Sequence, residues 1–351
     1  MATKFLRVFV LALLGALILL PPQAIQGQSK GGAAKGQTKA GATAPRAAEP
    51  VEDSDVIRVN VDLVSVLATV RGKNNALMGS LEKSDFHLFE DGKEQEIKYF
   101  TRETDLPLTI GLLVDVSGSQ ERLIDTEHRA ASQFFRSVLR PKDLAFLISF
   151  GKDSELLQDS TNSAKLLEDG LKQLRLNAPV GGLHPGPVPT QQNQAGTVLW
   201  DAVYLAANER LKGEVGRKVI VVITDGVDTG SRKTREQAIR EAQLADTVVY
   251  SVYYTDPGAY GGGGLVFGGG GGEGDLKKLS DETGGRVLKV DRKNTLDDLF
   301  KEIQDEMRTQ YAIAYSPTNP KKDGSYRKLE FKMANKDQKV QARKGYYAVA
   351  N

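Results

Sequence analysis

The stretch Leu108-Thr109-Ile110-Gly111-Leu112-Leu113-Val114-Asp115-Val116-Ser117-Gly118-Ser119 decides the fold. Leu108 to Val114 is almost continuously apolar, as expected of a strand buried on both faces, and such strands belong to parallel sheets covered by helices. An acid and two hydroxyls follow at the strand's carboxyl end, spaced D-x-S-x-S. In open α/β sheets ligands bind at that end, where the chain direction switches. Three oxygen-bearing side chains on one short turn suit a hard cation such as Mg²⁺, and not zinc or copper. Alone the pattern is weak, because Asp and Ser also fill ordinary turns.

Working outward, two later stretches sharpen it. Gly196-Thr197-Val198-Leu199-Trp200-Asp201 places a threonine just before a helix, and Lys218 to Thr224 is a second buried strand that runs into Asp225-Gly226. Strand–D-x-S-x-S, a Gly-Thr helix start and strand–T-D-G, in that order, resemble the metal-ion-dependent adhesion site of von Willebrand factor A domains. That resemblance implies a site of Asp115, Ser117, Ser119, Thr197 and Asp225. It implies one divalent cation, usually Mg²⁺, with Mn²⁺ or Ca²⁺ as alternatives, that captures an acidic group on a partner. It also implies a supporting role for Asp201, through hydrogen bonds and not through the ion.

From Pro107 strands and helices alternate, which implies a parallel sheet with crossover helices. Helices are expected over about 121–139, 163–174, 197–211, 234–245, 275–283 and 295–308, and strands at 144–150, 155–158, 248–254 and 286–290. Gln310 to Tyr315 reads as the last strand of that sheet. Asp228 reads as a turn acid. Two segments interrupt the alternation. Residues 175–195 form a long proline- and glycine-rich loop that ends at Thr197, either a loop overlooking the cation or a solvent-exposed insertion. Of the 17 residues from Gly258 to Gly274, 11 are glycine, and no Lys-Ser or Lys-Thr follows as in a phosphate-cradling loop, so a floppy connection is expected.

On either side the character is β. Val56 to Val66 alternates for much of its length, Asp91-Gly92 is a hairpin turn between apolar residues, and Gln95 to Phe100 is the return strand. Tyr326 to Met333 and Val340 to Val349 read as two further strands. A lone hairpin is marginal in water. The tail is therefore expected to pack on residues 55–104. The resulting fold class is α/β: a Rossmann-like, doubly wound, mostly parallel sheet flanked by a small β-sandwich formed from the N- and C-terminal extensions.

The division expected is 1–27, 28–54, 55–104, 105–315 and 316–351: signal peptide, disordered linker, β unit, α/β domain and C-terminal hairpin. Lys4 and Arg7 precede an apolar run from Val8 to Leu20 that Pro21-Pro22 breaks, the layout of a secretory signal. The run falls short of the ~20 residues a membrane span needs. Membrane contact is expected only through this signal, if it stays uncleaved. An exported chain is expected in the periplasm or outside the cell. Its lack of cysteine leaves stability to burial alone. Removing Lys4 and Arg7 from the 47 basic residues leaves 45, equal to the 45 acidic ones. That balance argues against nucleic acid held through its phosphates.

Phe86-His87-Leu88-Phe89-Glu90-Asp91-Gly92, Tyr311-Ala312-Ile313-Ala314-Tyr315-Ser316-Pro317 and Gly345-Tyr346-Tyr347-Ala348 narrow the likeness. They resemble the von Willebrand factor A-related proteins of Acidobacteria. The resemblance implies a non-enzymatic adhesion or protein-binding module whose partner presents an Asp or Glu carboxylate. Two alternatives stand beside it: a scaffold with a structural cation, and a metal-dependent hydrolase drawing on Asp201 and Asp228. The hydrolase is disfavoured because no histidine or cysteine lies near the three site segments.

Overall fold

The computed structural model describes residues 63–102, 106–117, 124–174, 196–254 and 271–349. The expected signal peptide and linker, the 175–195 loop, most of the glycine tract and Ser119 lie outside the described residues. In chain order the strands and helices are β1 (Val64–Arg71), β2 (Phe86–Glu90), β3 (Lys93–Gln95), β4 (Ile97–Arg102), β5 (Leu108–Asp115) and α1 (Ile124–Val138). Next come β6 (Leu144–Phe150), β7 (Ser154–Thr161), α2 (Ala164–Leu171), α3 (Leu199–Leu205), β8 (Arg217–Thr224), α4 (Arg235–Leu244) and β9 (Thr247–Tyr253). The chain closes with α5 (Gly271–Thr283), β10 (Val287–Lys289), α6 (Leu296–Arg308), β11 (Tyr311–Tyr315), β12 (Tyr326–Met333), β13 (Lys339–Ala342) and β14 (Gly345–Tyr347).

The central sheet runs β10-β9-β8-β5-β6-β7, parallel except for β7 at the edge. Every residue of β5 and β8 is buried, as strands covered on both faces require. Alternate side chains feed two cores. Ile110, Leu112, Val114, Val219 and Val221 pack under α1, α2 and α6, where Phe134 stacks on Phe300 with ring centroids 4.5 Å apart. Leu113, Phe146, Ile148, Ile220 and Val222 pack under α3, α4 and α5. This is the doubly wound α/β body that the sequence led us to expect. Thr234 and Thr295 open α4 and α6 as reciprocal capping boxes with Gln237 and Asp298. Among the described residues no helix is long and apolar enough to cross a membrane.

Two antiparallel sheets, β13-β1-β11-β4 and β14-β12-β2-β3, enclose a third core of Val66, Leu88, Ile97, Tyr311, Ile313 and Leu329. The N- and C-terminal extensions thus form the expected sandwich, with three corrections. Tyr311–Tyr315 is not the last strand of the parallel sheet; it lies between β1 and β4, and its in–out alternation suits a sheet half covered by core. The Asp91-Gly92 turn, both residues at positive φ, returns through short β3, while β4 leaves for the other sheet. The expected final strand is two: β13 pairs with β1, and β14 pairs with β12.

Sandwich and α/β body meet through charge. Buried Glu306 on α6 receives Arg71 of β1 and also Arg286, whose Nε lies 2.6 Å from its Oε1. At the other side Arg343 pairs with Asp246, and Gln341 donates to the Gly284 carbonyl at 3.2 Å. Inside the sandwich Glu90 accepts from Tyr315 at 2.6 Å, Tyr346 at 3.0 Å and Arg327 at 3.2 Å.

Candidate metal centre

The parallel register of β5 and β8 brings their carboxyl ends level, pairing Val114 with Ile223. Asp115 then sits beside Thr224, whose hydroxyl donates to Asp115 Oδ2 at 2.6 Å. Asp115 Oδ1 accepts from the Ser117 amide at 2.9 Å. Asp115 is 0% exposed, and no basic side chain pairs with it among the described residues. Burial pushes its carboxyl up to about 6; the bonds from Thr224 and Ser117 oppose that, and the nearby charge of Asp225 adds to it. Asp225 is 5% exposed, and its Oδ1 accepts from the Val227 amide at 3.1 Å. The two acids share one pole of the sheet.

A turn holds Asp225 in place. Gly226 has φ +76, and the start of α5 abuts it so closely that a Cβ on Gly272 would lie 2.4 Å from the Asp225 carbonyl oxygen. The last glycines of the tract are therefore the packed first turn of α5, not a floppy connection. The lack of a side chain on Gly272 admits the Asp225–Gly226 turn.

Thr197 is tied to the same loop through its backbone. Its amide donates to Thr229 Oγ1 at 3.1 Å, and its carbonyl accepts from the amides of Thr229 and Gly230, both at 3.1 Å. It lies just before α3, which begins at Leu199. Asp201 accepts from the amides of Arg232 at 3.0 Å and Lys233 at 2.7 Å, a support to the loop in keeping with the expectation. Asp228 and Ser231 cap α3: Ser231 Oγ accepts from the Trp200 amide at 3.0 Å and the Asp201 amide at 3.2 Å, and donates to Asp228.

The described residues thus bring Asp115, Ser117 and Asp225 to adjacent strand ends and fasten the Thr197 segment to the loop after Asp225. Among the described residues no group of three His, Cys, Asp or Glu stands ready for a metal. The donor set is two carboxylates with hydroxyls, which fits Mg²⁺, a cation that takes oxygen ligands and keeps waters.

Two contributors escaped the sequence reading. Thr224 carried no signal beyond its place in T-D-G. Glu127 of α1 did carry one, since it lies four residues before Ala131 and seven before Phe134, on the apolar stripe of the helix. It is 2% exposed, and neither carboxylate oxygen has a hydrogen-bond partner among the described residues. Burial, followed by the charge of Asp115, holds its carboxyl up at about 8.

No family model matches the chain, and no curated protein does. Among solved structures it is similar to an aerotolerance-related membrane protein from Bacteroides fragilis, at 17% identity and TM-score 0.41, over 57% of this chain and 98% of that one. It is similar to the conserved hypothetical protein BatB from Bacteroides thetaiotaomicron, at 18% identity and TM-score 0.40, over 57% and 97%. It is also similar to the vWF domain of the type V pili tip protein Mfa5 from Porphyromonas gingivalis, at 11% identity and TM-score 0.41, over 57% and 94%. At these values the likenesses bear on neither partner nor activity; the chain's own strand order establishes the fold class. The narrower likeness to Acidobacterial proteins finds no support.

Proposed function

We propose that this chain is an exported, non-enzymatic protein-binding module of von Willebrand factor A type, operating through one divalent cation held at the carboxyl pole of the parallel sheet. The observation that carries this reading is the buried pairing of Asp115 with Asp225, steadied by Thr224, Ser117 and the Val227 amide and offset by no basic side chain on Asp115. Asp115 and Asp225 would hold the ion, with Ser117, Ser119 and Thr197 as the neutral oxygens. Mg²⁺ is the expected occupant, with Mn²⁺ and Ca²⁺ as alternatives. Two carboxylates balance its charge, so a carboxylate from a partner's Asp or Glu can replace a water without building up a large negative excess. The hydrolytic alternative drew on Asp201 and Asp228, and both are engaged as backbone caps. That engagement supports the binding reading.

Calorimetry of the full chain with Mg²⁺, followed by an Asp-containing peptide, tests the proposal. Binding of peptide should need Mg²⁺, vanish with chelator and vanish in Asp115→Ala. Peptide binding that persists in chelator, or a wild-type chain that takes up no Mg²⁺, Mn²⁺ or Ca²⁺, refutes it.

A further inference from the structure

Glu127 poses a separate problem. An unpaired buried carboxylate costs several kcal/mol, and buried polar groups in native proteins almost always have partners. Four kinds of relief exist: a basic side chain, a hydrogen-bond donor or acceptor, a bound proton, or an ion with its water. Among the described residues neither of the first two reaches either oxygen. The position does not demand an acid for packing, since its stripe neighbours Ala130, Ala131, Phe134 and Phe135 are apolar. Glu127 stands in the first turn of α1, the helix that follows the strand ending at Asp115, and the charge of that acid worsens its situation.

We propose that Glu127 is a third carboxylate of the metal centre, one that would act through water and not as a direct ligand of a cation held by Asp115 and Asp225. This inference rests on the binding function proposed above and assigns the centre a residue outside the five that the sequence motif contains. Outer carboxylates of this kind orient the inner shell and typically contribute about 10- to 100-fold to metal affinity. Glu127 also connects α1 to the ion, so cation binding would fasten the first helix to the sheet's carboxyl pole.

The test uses the full chain and Mg²⁺ alone. Wild type, Glu127→Gln, Glu127→Met and Asp115→Ala are compared by calorimetry and by thermal melting with chelator and with Mg²⁺. Glu127→Gln keeps the volume and removes the charge. It should melt higher than wild type in chelator, bind Mg²⁺ about tenfold or more weakly, and gain less from Mg²⁺ on melting. Glu127→Met should behave alike, and it serves if the Gln variant does not fold. A purely structural role predicts the reverse: melting lowered in chelator, Mg²⁺ affinity unchanged. Wild-type affinity in either folded variant overturns the inference. If that happens while Asp115→Ala abolishes binding, the metal-dependent function survives and only the role of Glu127 falls. If wild type binds no Mg²⁺, both fall.

Discussion

Gly226→Ala tests whether the site rests on a backbone interlock. Gly226 has φ +76, and an added Cβ would lie 2.5 Å from the Gly272 carbonyl oxygen and 2.9 Å from its Cα. Both obstacles are backbone, so no side chain can swing aside. A left-handed conformation costs a non-glycine residue roughly 1–2 kcal/mol, overpacking about 1–3 kcal/mol, and the stiffer unfolded chain returns about 0.4–1 kcal/mol. The balance is a loss of about 3 kcal/mol. Gly324 supplies the control, because its φ is +74 but nothing lies within 4 Å of the added Cβ. Strain alone acts there, and Gly324→Ala should cost about 1 kcal/mol. Urea denaturation in chelator, at unchanged m-value, measures both. Because the Gly226 change also pushes on Asp225, calorimetry should show weakened Mg²⁺ binding in Gly226→Ala and unchanged binding in Gly324→Ala. Stabilities for the two variants within about 0.5 kcal/mol of one another, with equal Mg²⁺ affinities, would refute the interlock.

Four further perturbations probe other parts of the molecule. Glu306→Gln removes the 0% exposed carboxylate that Arg71 and Arg286 share and leaves them only the half-buried Glu302; denaturation should show a loss of about 3 kcal/mol, the low end for a broken buried pair. By contrast Arg136→Ala, from the exposed pair with Glu168, should cost under about 1 kcal/mol. Asp201→Ala frees the amides of Arg232 and Lys233, and should weaken Mg²⁺ binding about tenfold in calorimetry while leaving the far-ultraviolet spectrum intact. In alkali, burial raises the phenols of Tyr250, Tyr315 and Tyr346, with the acids Glu306 or Glu90 adding to it. Raised folded values mean the native state keeps protons that the unfolded chain releases above its ordinary value of about 10. Their contribution is whole below that pH and declines above it. Tyrosinate absorbance should therefore show a late fraction of the 11 tyrosines that ionises only as the chain unfolds.

The legible parts of this chain are those in which one segment carries its own signal. β5 and β8 announced themselves as continuous apolar runs, α6 as an amphipathic stripe, and the Asp91-Gly92 turn by its residue types. What stayed hidden depends on distant partners. Tyr311–Tyr315 follows α6 as a crossover strand would, and only β1 and β4, more than 200 residues earlier along the chain, draw it into the sandwich. Gly272 carries the poorest helix propensity short of proline, yet it sits in the first turn of α5, where a Cβ would meet the Asp225 carbonyl. In the site, residue types and order were legible from the motif. The Thr224 bond and the burial of Glu127 were not, because they require the register of β5 on β8 and the facing of α1.

The position of the sandwich bears on how the site is used. β4 hands over to β5, and α6 hands over to β11, at the end of the body where the parallel strands begin. Ser65, Leu67 and Ala312 of the sandwich line a cavity of about 130 Å³ with Gly216, Arg217, Thr247 and Val248, which surround the starts of β8 and β9. Asp115 and Asp225 stand at the opposite ends of the same strands. The eight residues of β5 at about 3.3 Å each separate the two poles by roughly 23 Å. The extensions therefore pack at the amino pole, where the Arg71–Glu306 pair joins them to the body. A domain added at the carboxyl pole would compete with a partner for the proposed centre; at the amino pole it stabilises the body without meeting Asp115 or Asp225.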